Sequence, residues 1–574
     1  MNKVIKNITF FGLFLLITSQ VVAQEEIENK KDSDTISTES VIVVKTFNPT
    51  INDAFKIKAT PSFDEQSVKV KETSNYKINS VPVASTFVPQ KTKSVEVKKE
   101  KPISQFNNYA KLAIGNFVNI NAEAFSTFEI DRDSQFSVLL EHLSTQGGIS
   151  GIELDDKYYD TGIQLTYDRQ SRNLNWSADF ELQHQLYNWY GLPDGLTTPI
   201  NDIVGLDVAH NYIDVNVGAQ FYLDNEFFKF AKIKFRHFRD DFDSAENNVT
   251  IKSEFSIPLE EITIKLPVEL DFVSGEFEDN VFFTPEKYSI LNLGVSPSVA
   301  INLQGADVQI GISGYISSDS ENSDTDFFVY PNITVNYEIP EYNVSVFGGI
   351  KGGLIQNTYH NAIEENKFAA PELALTPTSQ SFNIFAGAKG NLQGNFGYEA
   401  TASFRVEKDK PLWVKTAEVI GTDVIPFGLS NSFVYVYDDV NIGQLDLKLN
   451  YDVENSFGIS LSTLFTTYGL DDQDEAWNSP NFEANLQANY IFTEQVKLTA
   501  GLFFKGSRKD IDQVTLTTVD VDGYFDANFQ LDYKINKQWQ AFLKGNNLTS
   551  QNYELWQDFE VQSIQFLVGA KYLF

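Results

Sequence analysis

Five histidines, His142, His184, His210, His237 and His360, are the first residues that could do chemistry in this chain. His184 and His210 flank a polar stretch that holds Asp202 and Asp207, the residue types of an acid–base dyad. Nothing in their spacing singles the pair out, and the chain reads as a non-enzyme. Two acidic runs, Asp319, Glu321, Asp324, Asp326 and Asp471, Asp472, Asp474, Glu475, offer the oxygen ligands that calcium takes. Neither run has the glycine-punctuated spacing of a dedicated site, so both read as solvated loops, with no metal and no cofactor expected. Rings at Trp189, Tyr190, Trp413, Trp477 and Trp556 flank the same polar stretches. They could stack on a carbohydrate, but a girdle at a membrane interface is the plainer expectation. Cysteine is absent and methionine occurs only at position 1, which excludes thiol and disulfide chemistry.

The elements that would carry these loops announce themselves by period-2 alternation. In the last ten residues Phe566, Val568, Ala570, Tyr572 and Phe574 are apolar, set against Gln565, Gly569 and Lys571. The same pattern recurs upstream. Ile213, Val215, Val217, Ala219 and Phe221 oppose Asp214, Asn216, Gly218 and Gln220. Leu445, Leu447, Leu449 and Tyr451 oppose Asp446, Lys448 and Asn450. Val118, Ile120, Ala122 and Ala124, the set from Phe482 to Tyr490, and that from Phe525 to Tyr533 repeat it. Strands greasy on one face and wet on the other, ending on an aromatic residue, are what a transmembrane β-barrel needs.

Short turn-like connections rich in Asn, Asp, Gly and Pro alternate with longer polar ones. The short ones fall at 131–133, 171–173, 224–225, 258–261, 304–306, 339–341, 393–395, 453–455, 493–495 and 536–537. The long ones are 189–207, 317–324, 357–378, 408–432 and 469–480. Ten short turns on one rim, with both chain ends on that rim, require 22 strands. The fold class is therefore all-β: an antiparallel transmembrane barrel over residues 106–574. Composition agrees. Aromatics make up 14% and hydrophobic residues only 42%, with mean hydropathy −0.24, which excludes a helical membrane protein but suits a barrel whose alternate residues touch lipid.

The net charge of −34, from 78 acidic and 44 basic residues, argues against nucleic acid as a partner. Residues 1–23 read as a signal peptide: Lys3 and Lys6, an apolar core from Ile8 to Ile17, and Val21-Val22-Ala23 before Gln24. Export plus alternating strands places the protein in the outer membrane of a Gram-negative cell, inserted by the barrel-assembly machinery that reads Phe566, Val568, Ala570, Tyr572 and Phe574. Residues 24–105 form a separate irregular segment with five prolines and neither glycine nor arginine. Over 41–105 it carries +5, whereas 106–574 carries −37. A barrel of this size has a lumen that must be filled. The candidates are this segment, inward-folded loops or another protein, and the charge contrast points to the segment, with Phe47, Ile51, Phe55, Ile57 and Phe63 as wall anchors.

The stretch Asn547, Leu548, Ser550, Tyr553 before the last strand resembles the "N-L-x-N-x-x-Y" segment of TonB-dependent receptors, with Ser550 where that pattern has its second Asn. The likeness covers the barrel. The plug domain of such receptors is not recognisable in the 82 residues from 24 to 105. Glu39, Ser40, Val41, Ile42, Val43, Val44 and Lys45 are similar to a TonB box, the extended segment that pairs with the energy transducer. What the resemblance implies is a receptor and transporter taking up a nutrient, with outer-membrane lipid, a TonB-type transducer and a surface lipoprotein as partners. The alternative is a non-transporting barrel subunit of an outer-membrane assembly or secretion complex, its lumen closed by the amino-terminal segment.

Overall fold

The first strand, Tyr109–Gly115, pairs antiparallel with Ile120–Asp131 on one side and with the last strand, Gln565–Leu573, on the other. The sheet therefore closes on itself and has no open edge, the condition for strands to cross lipid, where each unpaired backbone group costs several kcal/mol. The computed structural model describes residues 108–574 except 200–202, 204, 261, 279–285, 393–394, 421–423, 454–455 and 514. The signal peptide expected over 1–23, the 24–105 segment and its TonB-box-like stretch lie outside the described residues. The barrel sheet contains 23 strand segments. Two of them, Glu286–Val295 and Ser298–Leu303, pair with the same two neighbours in unbroken register. They are one strand interrupted at Ser296-Pro297, where proline has no N–H to donate. The barrel has 22 strands.

Every expected short turn falls between two strands that pair with each other. Alternation sets the faces. Leu112, Ile114, Val217, Leu445, Phe566 and Val568 stand exposed on the outer face, while Asp214, Asn216, Asn528 and Gln565 are buried on the inner one. Moving one such apolar side chain from water into lipid is worth roughly 1.5–3 kcal/mol. That gain, repeated around the ring, fixes register, because a one-residue slip would turn every polar residue towards lipid. Near the short-turn rim Trp539 lies 4.8 Å from Tyr572, and Tyr572 5.7 Å from Phe574, a ring cluster suited to the interface.

The seam has one steric demand. Gly569 stands opposite Phe542 and Ala113. A Cβ on Gly569 would lie 2.4 Å from the Phe542 ring, 2.6 Å from the Leu112 carbonyl oxygen and 2.7 Å from Ala113 Cβ. Only glycine lets Phe542, Leu567 and Ala113 bury one another on the inner wall there.

Three expectations are corrected. Strands Ala306–Asp319 and Asp324–Ile339 run on until only 320–323 remain between them, so 317–324 is a tight turn. Strands Phe396–Lys415 and Phe433–Val453 likewise carry their ladder through most of 408–415. Polarity in the sequence marks residues as wet, and a wet residue can still sit in a strand that rises clear of lipid. Val118 is not on the second strand: Phe117 and Val118, with φ of 57° and 49°, form the centre of a tight hairpin turn.

Candidate functional site

The long connections fold inward over the mouth of the barrel. Their apolar residues join the uppermost inward-facing strand residues in one buried cluster. Trp189, Trp413 and Trp556 belong to it, and Trp477 is buried in a smaller neighbouring cluster. The girdle expected from these rings is therefore corrected: they are the core of a stopper. A ring beside polar loops looks the same in sequence whether it meets lipid or other loops.

Three rings decide how the mouth is closed. Tyr190 comes from the loop after the fifth strand, Leu174–Asn188. Phe368 lies in the loop after Val344–Ile355, and Phe559 in the loop before Gln565–Leu573. These loops leave the ring after the fifth, thirteenth and twenty-first strands, from three sides of the barrel. Yet Phe368 stacks on Phe559 at 3.6 Å, and Tyr190 meets Phe559 at 5.3 Å and Phe368 at 6.3 Å. Loops rooted on three sides can touch only by spanning the lumen. Hydrogen bonds accompany the rings. The Tyr190 hydroxyl donates to the Glu560 carbonyl at 2.6 Å, and Asn431 Nδ2 donates to the Trp189 carbonyl at 3.2 Å.

The Phe368 loop is held to the wall by a short helix, Tyr359–Glu365, capped by Thr358. At its start the Tyr359 and His360 amides donate to the Glu246 carboxylate at 2.7 and 3.2 Å, and the Tyr288 hydroxyl donates to the same group at 2.8 Å. The Tyr359 hydroxyl donates to Asp240 at 2.6 Å. Burial, with the Asp240 charge next, drives the Tyr359 hydroxyl well above its ordinary pKa, so it stays a donor. Arg236 donates to His360 Nδ1 at 2.8 Å, which leaves the ring proton on Nε2, 3.5 Å from Asp214. The Phe559 loop is tied by Lys415 to Asp558 and by Arg508 to the Glu554 and Leu555 carbonyls. Glu418 clamps a fourth contact: its two oxygens accept from the amides and hydroxyls of Thr197 and Thr198 at 2.7–2.8 Å. Burial works against that charge, but the four hydrogen bonds prevail and lower its pKa to about 2.

Within the stopper lies a pocket, open to solvent on one side, between the 146–157, 357–377 and 547–564 connections and the rim of the wall. Its lining is mainly apolar. Tyr158 and Tyr187 stack at 5.6 Å, and Phe368 and Trp556 face it from the loops. Five charged residues also line it: Asp156, Lys157, Glu365, Lys367 and Lys505. Glu365 keeps an exposed surface, while desolvation by the crowded mouth pushes its carboxyl above the usual range, opposed by Lys410 and by Lys505.

The residues singled out for chemistry are dispersed. His184 turns outward, opposite Ile213, whereas His210 is buried inside, stacked on Trp189 at 4.7 Å. The two stand on opposite faces of the wall and cannot form a dyad, and Asp202 lies outside the described residues. Asp319 caps its own turn through the Glu321 and Asn322 amides. Asp438 accepts the amides of Asp471, Asp472 and Gln473, and Glu475 pairs with Lys509 at 2.6 Å. The motif before the last strand does structural work. Asn547 accepts no strain from its φ of 46°, which Asn tolerates, and ties its side-chain amide to the Gln551 and Gln562 carbonyls. Tyr553 stacks on Tyr524 at 4.0 Å.

Barrels of this form are known. The chain superposes on the siderophore receptor PirA from Acinetobacter baumannii with a TM-score of 0.59, at 11% identity, over 83% of this chain and 81% of that one. The FrpB iron transporter from Neisseria meningitidis gives 0.61 at 9% identity, over 82% of each chain. The copper transporter OprC gives 0.58 at 10% identity, over 81% and 80%. The fold is that of a TonB-dependent receptor barrel. No family signature and no curated protein sequence matches the chain. With identities this low the likeness is one of fold alone.

Proposed function

We propose that the protein is an outer-membrane receptor that captures a nutrient at its loop-built mouth and admits it through the barrel in a TonB-dependent manner. The observation that carries this reading is the contact of Tyr190, Phe368 and Phe559 across the lumen. A wide barrel closed by loops that are joined to each other by side chains is a gate, since the loops can part without unpairing any wall strand. The barrel architecture shared with iron and copper transporters supports the same reading. Opening needs work, and residues 39–45 are the segment proposed to receive it. Cysteine pairs between this stretch and the transducer should trap as disulfides. Val43→Pro, which removes a strand hydrogen bond, should abolish uptake of the nutrient while leaving barrel yield unchanged. Uptake unaffected by Val43→Pro would instead favour a non-transporting barrel subunit.

In this reading residues 1–23 direct export, the outward set from Phe566 to Phe574 is read by the assembly machinery, and a surface lipoprotein can cover the loops. Residues 41–105 are proposed to occupy the lumen beneath the stopper, drawn by their +5 charge to a barrel of −37. Asn528 faces inward but is buried and bonded to the Asn547 amide, so it is a poor reporter. Gln487 faces inward and is exposed. Cysteines at Ala54 and Gln487 should crosslink in intact outer membranes. Full cleavage of 41–105 by a periplasmic protease would rule the arrangement out.

A further inference from the structure

The pocket in the stopper holds an imbalance that its own side chains do not resolve. Of its five charged residues, three are already engaged. Asp156 accepts the Gly147 and Ile149 amides at 2.6 and 3.2 Å, Lys157 pairs with Asp155 at 3.0 Å, and Lys367 pairs with Glu364 at 2.7 Å. Lys505 and Glu365 remain. Glu483, opposite Lys505 in the sheet, and Lys410, near Glu365, act on them more strongly than the two act on each other, yet among the described residues neither lies within ion-pair distance of an opposite charge. Glu365 ends the helix anchored by Glu246, and Lys505 ends strand Val496–Lys505, so both are held by elements fixed to the wall. Around this separated acid and base the lining is aromatic.

Resting on the uptake reading above, and deepening it, we infer that the pocket binds a short peptide with large apolar side chains, its carboxylate on Lys505 and its amino terminus on Glu365. Both charges of the ligand are then neutralised by fixed groups, and its apolar side chains lie against Phe368, Trp556 and the Tyr158–Tyr187 pair. The ammonium supplies a positive charge that favours the ionised form of Glu365. An anion alone would leave Glu365 facing it, and a sugar would leave both charges unanswered. Charge-assisted hydrogen bonds at both ends of the ligand, set in an apolar lining, make the paired ends the main source of selectivity.

The test is equilibrium dialysis of the full chain, purified in detergent, against the dipeptide Phe-Phe, its N-acetyl form and its amide. Phe-Phe should bind saturably, and each capped form at least about tenfold more weakly. Lys505→Met should erase the preference for Phe-Phe over the amide, and Glu365→Gln the preference over the N-acetyl form, each leaving its own capped ligand unaffected. A heat-modifiable gel shift checks that both variants are folded. Equal binding of all three compounds, or discrimination that survives in both variants, overturns the inference. Dialysis needs no energy source, so the two readings separate. A dipeptide that binds but never accumulates in cells defeats the uptake reading and leaves the pocket standing. Cells that accumulate a nutrient through a protein with no dipeptide binding defeat the pocket alone.

Discussion

The barrel wall and the stopper in its mouth are built from the same chain on opposite principles. In the wall each strand pairs with its sequence neighbours, and one arrangement repeats 22 times, so every pairing is supported by those on either side. The stopper is a set of single contacts between distant positions. Tyr190 bonds to a carbonyl 370 residues away, Asn431 to one 242 away, and Tyr212 to that of Lys367, 155 away. Loop closure over such separations costs entropy that only specific packing offsets. The wall is therefore redundant and the stopper is not. That difference is what a gate requires: a frame that stays shut to lipid around a closure that can come apart.

The contrast is broken most severely at a seam position where a side chain does not fit. Gly569→Val would drive a side chain into the Phe542 ring and the Leu112 carbonyl at the seam, where the first and last strands meet. Overpacking a well-filled core costs about 1–3 kcal/mol. Here the clash is with backbone, so loss of the folded, heat-modifiable barrel from the outer membrane is the expected outcome. Wild-type yield of Gly569→Val would show that the seam is not as tight as the geometry says. A smaller and differently placed effect is expected from Phe559→Ala. Removing a fully buried Phe costs about 3–5 kcal/mol, and the loss falls on the meeting of three loops. The barrel should still form and keep its gel shift, while added protease cuts the 547–564 loop far faster. If Phe559→Ala also costs the barrel its gel shift, wall and stopper are one cooperative unit and the comparison fails.

The same contrast explains what could be read in the sequence. Alternation is a local signal, and lipid outside with water inside enforces it on every strand. Strand count, faces and rim asymmetry were all legible for that reason. The stopper has no period. Trp189 and Trp413 carry no mark that separates a girdle ring from a core ring, and Lys505 looks like any inward lysine. The one hint was quantitative: a lumen too wide to leave empty, with inward-folded loops among its possible occupants. Leu567, a large apolar residue on the inward face of the last strand, lies in the seam cluster with Phe542 and Ala113. The Asn547–Tyr553 motif was legible as a resemblance, but its role, fastening a long loop to strand Tyr524–Lys534, needed the fold.

The smallest expected effect sharpens the comparison by pH. Glu418 joins two stopper loops and touches no wall strand partner, through four hydrogen bonds to Thr197 and Thr198. Its folded pKa, lowered to about 2 from an ordinary 4.5, means that the carboxylate form stabilises the closed loops. A depressed carboxyl pKa contributes stability that is fully present above the unfolded value and is lost as pH falls through the folded one. The window is therefore pH 4.5 down to 2. Glu418 is partly exposed, so solvent screens the gain and the effect is modest. Across that window, amide exchange at Thr197 and Thr198 should quicken relative to amides of the wall, after correction for the intrinsic pH dependence of exchange. Glu418→Gln should show the quickened rates already at neutral pH and lose that part of the pH dependence. Other stopper carboxylates, such as Glu554, have pKa values raised by burial and act at higher pH, so the difference between wild type and Glu418→Gln isolates this clamp. An identical pH profile in the two proteins would mean that the Thr197–Glu418 contact holds nothing closed, and would place the whole closure on the rings.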